Sequence, residues 1–145
     1  MCSGINVGGQ LSVLEQTILS ADVQQLGSSP FLLIANPDII TIPVFAFFYI
    51  NRNQTIPYSG FTHVNLATSS INIATFSQNA SSTNTLEYNN TANETYNFLM
   101  NFRTLPVRYG GMGGVRIFLN MDTDPTAGDG DLTIVMFYYS IVNPI

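Results

Sequence analysis

The sequence predicts an all-β protein, an antiparallel β-sandwich of jelly-roll type with at most one short helix. Roughly eight segments rich in β-branched and aromatic residues alternate with turn residues, which is typical of a two-sheet sandwich. Two long segments are apolar on both faces, and no helical period extends beyond about two turns. Within the 145 residues we expect a single sandwich domain over 11–145. Residues 1–10, rich in glycine, are predicted to be a flexible arm.

Composition excludes several classes of partner. Charged residues make up 9% of the chain, against about 25% in typical domains. There is no lysine, and the net charge of −5 argues against nucleic acid and anionic membranes as partners. The longest apolar run, Ile39 to Ile50, is too short for a membrane helix and contains Pro43. The N-terminus shows no basic segment followed by an apolar run, so no signal peptide is predicted.

The first elements are predicted to be a strand and a short helix. Leu11 to Leu19 has strand character. Ser20 is a plausible N-cap and Asp22 lies in the first turn, where an acidic residue favours the helix. Gly27 and Pro30 are expected to end the helix within about two turns.

A short strand, a turn and a long strand follow. Phe31 to Ala35 is the short strand, residues 36–38 are the turn, and Ile39 to Ile50 is the long strand. Pro43 has no backbone N–H to donate, so a bulge or a sheet edge is expected there. Alternation assigns one face to Ile40, Ile42, Val44, Phe48 and Ile50. It assigns the other face to Ile39, Phe45, Phe47 and Tyr49.

The middle of the chain is less regular. Strand candidates lie at His63–Thr68 and Ile71–Phe76. The polar block Ser77–Thr95 is either a long surface loop or a pair of exposed strands around Leu86–Tyr88. In the next segment, side chains predicted to point inward are Tyr96, Phe98, Met100 and Phe102, with Asn97 and Asn101 opposite. Residues 110–114 are predicted to form a glycine-rich turn.

Two further segments complete the pattern. In the first, inward positions are Val115, Ile117, Leu119 and Met121, with Arg116 and Asn120 outward. A loop over residues 122–130 then leads to a long final strand. One face of that strand carries Leu132, Ile134, Met136, Tyr138 and Val142. The opposite face carries Val135, Phe137, Tyr139 and Ile141.

The two double-sided apolar strands predict self-association. A strand with one wet face alternates apolar and polar residues, and neither long segment does. The domain core covers one face, and we expect another copy of the chain to cover the other. The candidate interface residues are Val135, Phe137, Tyr139, Ile141, Phe45, Phe47 and Tyr49.

Three segments in this order resemble a known group of proteins. They are Leu19–Leu26, Ser29–Pro37 with the apolar strand after it, and Asp124–Val142, which contains Asp-Pro-Thr-Ala-Gly-Asp-Gly-Asp-Leu. The order is similar to small β-sandwich virion proteins of tailed bacteriophages, found as head fibres, decoration proteins or tail accessories. The resemblance implies a homotrimer displayed on the surface of the virion, in contact with other virion proteins such as the major capsid protein.

The only carboxylate cluster is the group Asp122, Asp124, Asp129 and Asp131. Calcium is bound by several oxygen ligands, which a tight acidic loop can supply. The spacing does not match an EF-hand, because no glutamate stands at the twelfth position. The competing interpretation is a loop whose aspartates and glycines serve the turn, and it is the one we favour.

No catalytic constellation is recognisable. His63 is the only histidine and Cys2 the only cysteine, which excludes a Cys-Cys-His metal site and an intrachain disulfide. There is no Gly-x-Ser-x-Gly elbow for a nucleophile. The glycines at 110–114 are not followed by the Gly-Lys-Ser/Thr of a phosphate loop. We therefore expect no enzymatic activity and no cofactor.

A glycan-binding module for host attachment is the alternative function. Aromatic side chains stack on sugars, and amides bond their hydroxyls. The candidate stacking residues are Tyr58, Phe61, Tyr88, Tyr96 and Tyr109. Packing in the core or at an interface is the competing interpretation of these aromatics, and it is the one we favour.

Overall fold

The two long apolar segments pair with each other at the centre of a four-stranded antiparallel sheet. The computed structural model describes residues 11–35, 39–68, 72–77, 84–86, 98–102 and 116–142. The elements are β1 (Leu11–Ile18), α1 (Ser20–Val23), β2 (Phe31–Ile34), β3 (Ile39–Ile50), β4 (Tyr58–Phe61), β5 (Val64–Ala67), β6 (Asn72–Phe76), β7 (Asn84–Leu86), β8 (Phe98–Leu99), β9 (Asn101–Phe102), β10 (Ile117–Met121) and β11 (Leu132–Val142).

Two sheets and a ribbon make up the architecture. Sheet A has the order β1-β11-β3-β8, sheet B has the order β2-β10-β5-β6-β9, and β4 pairs with β7. The strand pairs are antiparallel. The prediction of an all-β sandwich with at most one short helix is confirmed. Within the described ranges no helix is long and apolar enough to cross a membrane.

The core lies between the inner faces of the two sheets. Phe48 and Phe98 come from sheet A, and Phe76 comes from sheet B. The ring centroid of Phe76 lies 5.2 Å from that of Phe48 and 5.1 Å from that of Phe98. Both pairs meet edge to face, a geometry that adds about 0.5–1.5 kcal/mol per pair to the effect of burial alone. The final strand buries its predicted inner face, Leu132, Ile134 and Met136, in the same core.

The chain passes from one sheet to the other at Met100. Phe98 and Met100 are buried, while Leu99 and Asn101 are exposed, so the predicted alternation is confirmed at these positions. The N–H of Met100 donates to the carbonyl of Ala46 in β3 at 3.1 Å, which ties the crossing point to sheet A. The next residues pair with β6 in sheet B.

A bulge in β3 changes which of its residues face the core. Tyr138 pairs with Pro43 and Phe137 with Phe45, so Val44 is the extra residue. The predicted bulge near Pro43 is confirmed. The predicted face that grouped Val44 with Phe48 is wrong, because an extra residue reverses the alternation beyond it. Val44 is 44% exposed, Ile42 is half-buried, and Pro43 is buried instead.

The short helix is capped from another part of the chain. Leu19 occupies the cap position without a side-chain bond, so the prediction that Ser20 is the N-cap is wrong. The N–H of Ser20 donates instead to Oδ1 of Asp131 at 3.0 Å. Val23 and Leu26 are fully buried and hold this segment against the end of the sandwich.

The remaining predictions concern the strands of the middle segments, the polar block and three loops or termini. The strands predicted around 63–68 and 71–76 are confirmed as β5 and β6, and the inward positions Ile117, Leu119 and Met121 are buried. β4 was not predicted as a strand. Within the polar block, Asn84–Leu86 forms a strand with Leu86 buried. The N-terminal arm 1–10, the turn 36–38 and the glycine turn 110–114 lie outside the described residues.

Candidate functional site

The acidic loop 122–131 connects four other segments rather than gathering its carboxylates. Asp122 accepts hydrogen bonds from the N–H groups of Thr62 at 2.9 Å and His63 at 2.8 Å. The hydroxyl of Thr62 donates to the other oxygen of the carboxylate at 2.5 Å. Burial alone would raise the pKa of Asp122, but these hydrogen bonds outweigh it and hold the pKa below its usual value.

Asp124 binds the chain that follows the helix. Oδ1 of Asp124 accepts from the N–H groups of Gly27 and Ser28, both at 2.8 Å, and the bond from Ser28 is the main reason why its pKa is lowered. A side chain at Gly27 would place its Cβ 2.3 Å from the backbone nitrogen of Asp124. Glycine is therefore required for the close approach of the two backbones.

Asp129 and Asp131 bind the turn after β3. Asp129 accepts from the N–H groups of Ile56 at 2.7 Å and Thr55 at 2.6 Å, which lower its pKa. Asp131 accepts from the amide of Asn53 at 3.0 Å, in addition to capping the helix. The four carboxylates thus accept hydrogen bonds from different groups in the rest of the chain. In the described part of the chain, no three His, Cys, Asp or Glu side chains are grouped to hold a metal ion, so the structure does not bring the candidate calcium ligands together.

Tyr58 lies beneath the same loop. Its hydroxyl donates to the carbonyl of Gly130 at 2.5 Å. Burial, followed by the charges of Asp129 and Asp131, raises the pKa of Tyr58. Tyr58 and Phe61 are both fully buried, which agrees with the favoured interpretation of packing in the core and excludes these two as sugar-stacking residues. The other candidates, Tyr88, Tyr96 and Tyr109, lie outside the described residues.

The outer face of sheet A is apolar and exposed. We use this name for the side chains of β1, β11, β3 and β8 that point away from the core. Strand register places Val13, Phe137 and Phe45 in one row across three strands. The ring of Phe45 lies 5.8 Å from Phe137 and 6.0 Å from Phe47. Large exposed side chains on this face are Val13 (55%), Leu11 (49%), Leu99 (56%), Phe45 (43%) and Tyr139 (39%).

The structure places six of the seven predicted interface residues on this face. Phe45 and Tyr139 are exposed, while Phe47, Tyr49 and Phe137 are half-buried. Val135 is only 9% exposed, since its cross-strand neighbours Glu15 and Phe47 flank it. The side chain of Ile141 lies outside what the structure describes.

Sequence reasoning missed three residues of the same face, Leu11, Val13 and Leu99. The alternate spacing of Leu11 and Val13 in the first strand was an available signal. Leu99 gave no signal of its own.

The outer face of sheet B carries a row of polar side chains instead. Strand pairing places Asn120, Asn65, Thr75 and Asn101 side by side across four strands. The amide of Asn65 donates to Oδ1 of Asn120 at 3.1 Å, and the hydroxyl of Thr75 donates to Oδ1 of Asn65 at 3.0 Å. Asn65 is only 6% exposed, so this part of the row is held in one arrangement.

A cavity of about 470 Å³ opens over this row, and we call it the polar groove. The residues that line it are His63, Asn65, Asn72, Thr75, Ser77, Asn101, Phe102 and Asp122. Thr62 Oγ1 lies 2.7 Å from Nδ1 of His63. Because the Thr62 hydroxyl gives its single proton to Asp122, it accepts from His63. Nδ1 of His63 therefore carries a hydrogen and donates it to Thr62.

This arrangement differs from a nucleophilic triad. There the hydroxyl gives its proton to the histidine, and a carboxylate holds the other ring nitrogen. Here the hydroxyl of Thr62 gives its proton to Asp122, so it is not activated for attack. Protein-family models, curated proteins and solved structures gave no match to this chain.

Proposed function

We propose that this chain is a non-enzymatic structural protein that assembles into a homo-oligomer, a trimer in our hypothesis, through the outer face of sheet A. We further propose that the oligomer is a surface component of a tailed-bacteriophage virion, a decoration protein or part of a head fibre. It would there contact other virion proteins such as the major capsid protein. The exposed apolar face supports self-association, and the resemblance in the sequence supports the virion assignment.

The size of the face fits a protein contact. Strands β1, β11 and β3 lie side by side over the eight residues of β1. At about 4.8 Å between strands and about 3.4 Å per residue, they give roughly 390 Å² of sheet. A partner in a standard interface contributes about 800 Å², so these three strands supply about half of that area. Burial of apolar surface favours association by about 25 cal/mol per Å², and exposed Phe45, Val13 and Leu99 are the side chains with most to gain.

The charge pattern favours a second copy as the occupant. Among the described residues of this face the only charged side chain is Glu15, which lies on the edge strand β1. A strongly basic or acidic partner would therefore find almost nothing to pair with. A second copy brings the same apolar rows, and Glu15 can stay at the rim of the contact, where charge is tolerated.

Sedimentation equilibrium tests self-association. The wild-type chain is expected to be oligomeric at micromolar concentration. The double variant Phe45→Ser/Leu99→Ser removes two exposed apolar side chains and is expected to raise the dissociation constant at least 100-fold, since each contributes about 1.5–3 kcal/mol when buried. Leu32→Ser is the matched control, because Leu32 is 42% exposed on sheet B.

Two results would contradict the proposal. A wild-type chain that is monomeric throughout the micromolar range excludes self-association. Equal effects of Leu32→Ser and the double variant exclude sheet A as the contact. The virion assignment has its own test, which is cryo-electron microscopy of the intact particle, and a particle surface without this protein refutes it.

A further inference from the structure

We infer that the polar groove on sheet B is a binding site for a neutral oligosaccharide. The groove is concave, and its volume of about 470 Å³ falls within the range of about 300–1,000 Å³ found for small-molecule sites. Its lining is rich in amides and hydroxyls, with one aromatic ring and one carboxylate. The amides and hydroxyls suit sugars, whose own hydroxyls both donate and accept hydrogen bonds.

The floor of the groove is preorganised. Asn65 is bonded to Asn120 on one side and Thr75 on the other, so its side chain is already immobilised before a ligand arrives. Binding loses less conformational entropy when the contacting groups are fixed in advance. The exposed amides of Asn72 and Asn101 flank this floor on β6 and β9, and each offers both a donor and an acceptor to a ligand.

Three further residues line the groove, and they are Asp122, His63 and Phe102. Asp122 is an acceptor that stays ionised, because hydrogen bonds hold its pKa below the usual value. His63 lines the groove and is oriented there by the bond between its Nδ1 and the hydroxyl of Thr62. Phe102 also lines the groove, but its half-buried side chain packs against the core beside Ala74, so the amides and hydroxyls carry the site.

The charge of the groove selects the class of sugar. Asp122 is the only carboxylate among the described lining residues, and no described arginine lines the groove. The whole chain has a net charge of −5. An acidic sugar would meet repulsion without a compensating cation, so we expect neutral glycans to be preferred over sialylated or sulfated ones.

The groove lies on the opposite face of the sandwich from the proposed contact between copies. An oligomer formed through sheet A would leave each groove open to solvent. Several weak sites on one particle raise the overall avidity without any new contact. The sugar site does not depend on self-association, and monomeric protein is expected to bind with the same intrinsic affinity.

A glycan array carrying neutral and acidic oligosaccharides tests the inference, with full-length wild-type protein as the probe. Reproducible binding to neutral glycans is expected. The best neutral glycan is then titrated by calorimetry against wild type, Asn72→Ala/Asn101→Ala and Gln25→Ala. The double variant is expected to lose at least tenfold in affinity. Gln25→Ala is the matched control, since it removes an exposed amide on the turn after α1, and it is expected to bind like wild type.

Three outcomes would overturn the inference. An array without reproducible hits excludes a sugar site. Unchanged affinity of the double variant places the sugar elsewhere, and a preference for acidic glycans refutes the selection by charge. Thermal denaturation of each variant verifies that a loss of binding is not a loss of folding. Sedimentation equilibrium of the same samples measures their oligomeric state, so a loss of glycan binding is distinguished from a loss of self-association.

Discussion

The carboxylate of Asp131 accepts a hydrogen bond from the N–H of Ser20, 3.0 Å away in space and 111 positions earlier in the chain. Asp124 makes the equivalent contact to Gly27 and Ser28. These bonds join the segment that contains α1 to the loop 122–131. The loop 122–131 therefore acts as a clasp that closes one end of the sandwich, and its aspartates are structural residues.

Replacing Asp131 with alanine is expected to lower the free energy of unfolding by about 1–2 kcal/mol. The change removes the cap of α1 and the bond from Asn53, and loss of a helix cap costs about 0.5–2 kcal/mol. Urea denaturation measures the effect. Asp22→Ala is the control, because Asp22 is exposed in the same helix, and about 0.5 kcal/mol or less is expected. Equal losses in the two variants would contradict the capping role.

Gly128→Ala is expected to cost several kcal/mol or to prevent folding. Gly128 has φ of 131°, a conformation that an alanine rarely adopts. A Cβ there would lie 2.2 Å from Cδ1 of the buried Tyr58. The control is Ala127→Ser, because Ala127 is the neighbouring residue and is exposed. This variant is expected to change the free energy of unfolding by less than about 0.5 kcal/mol. Thermal denaturation compares the two, and a Gly128→Ala protein that melts with wild type would disprove the close packing.

Stability is expected to fall in acid. The pKa values of Asp122, Asp124 and Asp129 are lowered in the folded state, below the value of about 3.9 for an unfolded aspartate. Their contribution is therefore complete above about pH 4 to 5. It is lost as the pH falls below about 4 through the folded pKa values, because the unfolded state then binds more protons. Urea midpoints from pH 7 to pH 2.5 measure this loss.

The variant Asp122→Asn tests the origin of the acid sensitivity. The side chain of asparagine is neutral and does not titrate in this pH range. The variant is therefore expected to have a lower free energy of unfolding at pH 7, and that free energy is expected to fall less steeply in acid. Asp22→Asn serves as the control, because Asp22 is an exposed residue of α1. Identical pH profiles for Asp122→Asn and wild type would show that this carboxylate does not contribute.

The bulge in β3 predicts opposite outcomes for two aliphatic positions of sheet A. Val44 is the bulged residue and is 44% exposed, whereas Ile134 is fully buried. Val44→Ala is expected to cost less than about 1 kcal/mol, while Ile134→Ala is expected to cost about 2–5 kcal/mol. Urea denaturation distinguishes them. A large loss for Val44→Ala would place that side chain in the core, as simple alternation along the strand predicts.

Local patterns in the sequence were sufficient to predict most of the strands, but not β4 and not which side chains of β3 face the core. The alternation from Phe98 to Asn101 follows the burial in the structure, since a strand turns successive side chains to opposite sides. Val44 departs from the pattern because pairing with β11 introduces one extra residue. Proline at 43 indicated where the irregularity lies, but only the pairing shows which residue is extra.

The polar groove was not predictable from the chain itself. Asn65, Thr75, Asn101 and Asn120 are scattered over more than fifty positions among many similar residues. They become neighbours only because β10, β5, β6 and β9 pair in that order. Likewise, the sequence left open which aromatics belong to the core, whereas the structure places Tyr58 beneath the loop 122–131 and encloses Phe61 in the core.

The sequence by itself determined that the chain is a β-protein with two long, double-sided apolar strands, because side-chain period and backbone preference are local properties. Only the tertiary structure decided which side of those strands meets the core, which aspartate binds which loop, and where polar groups gather. Those choices depend on contacts between residues far apart in the chain, and strand register is what brings such residues together.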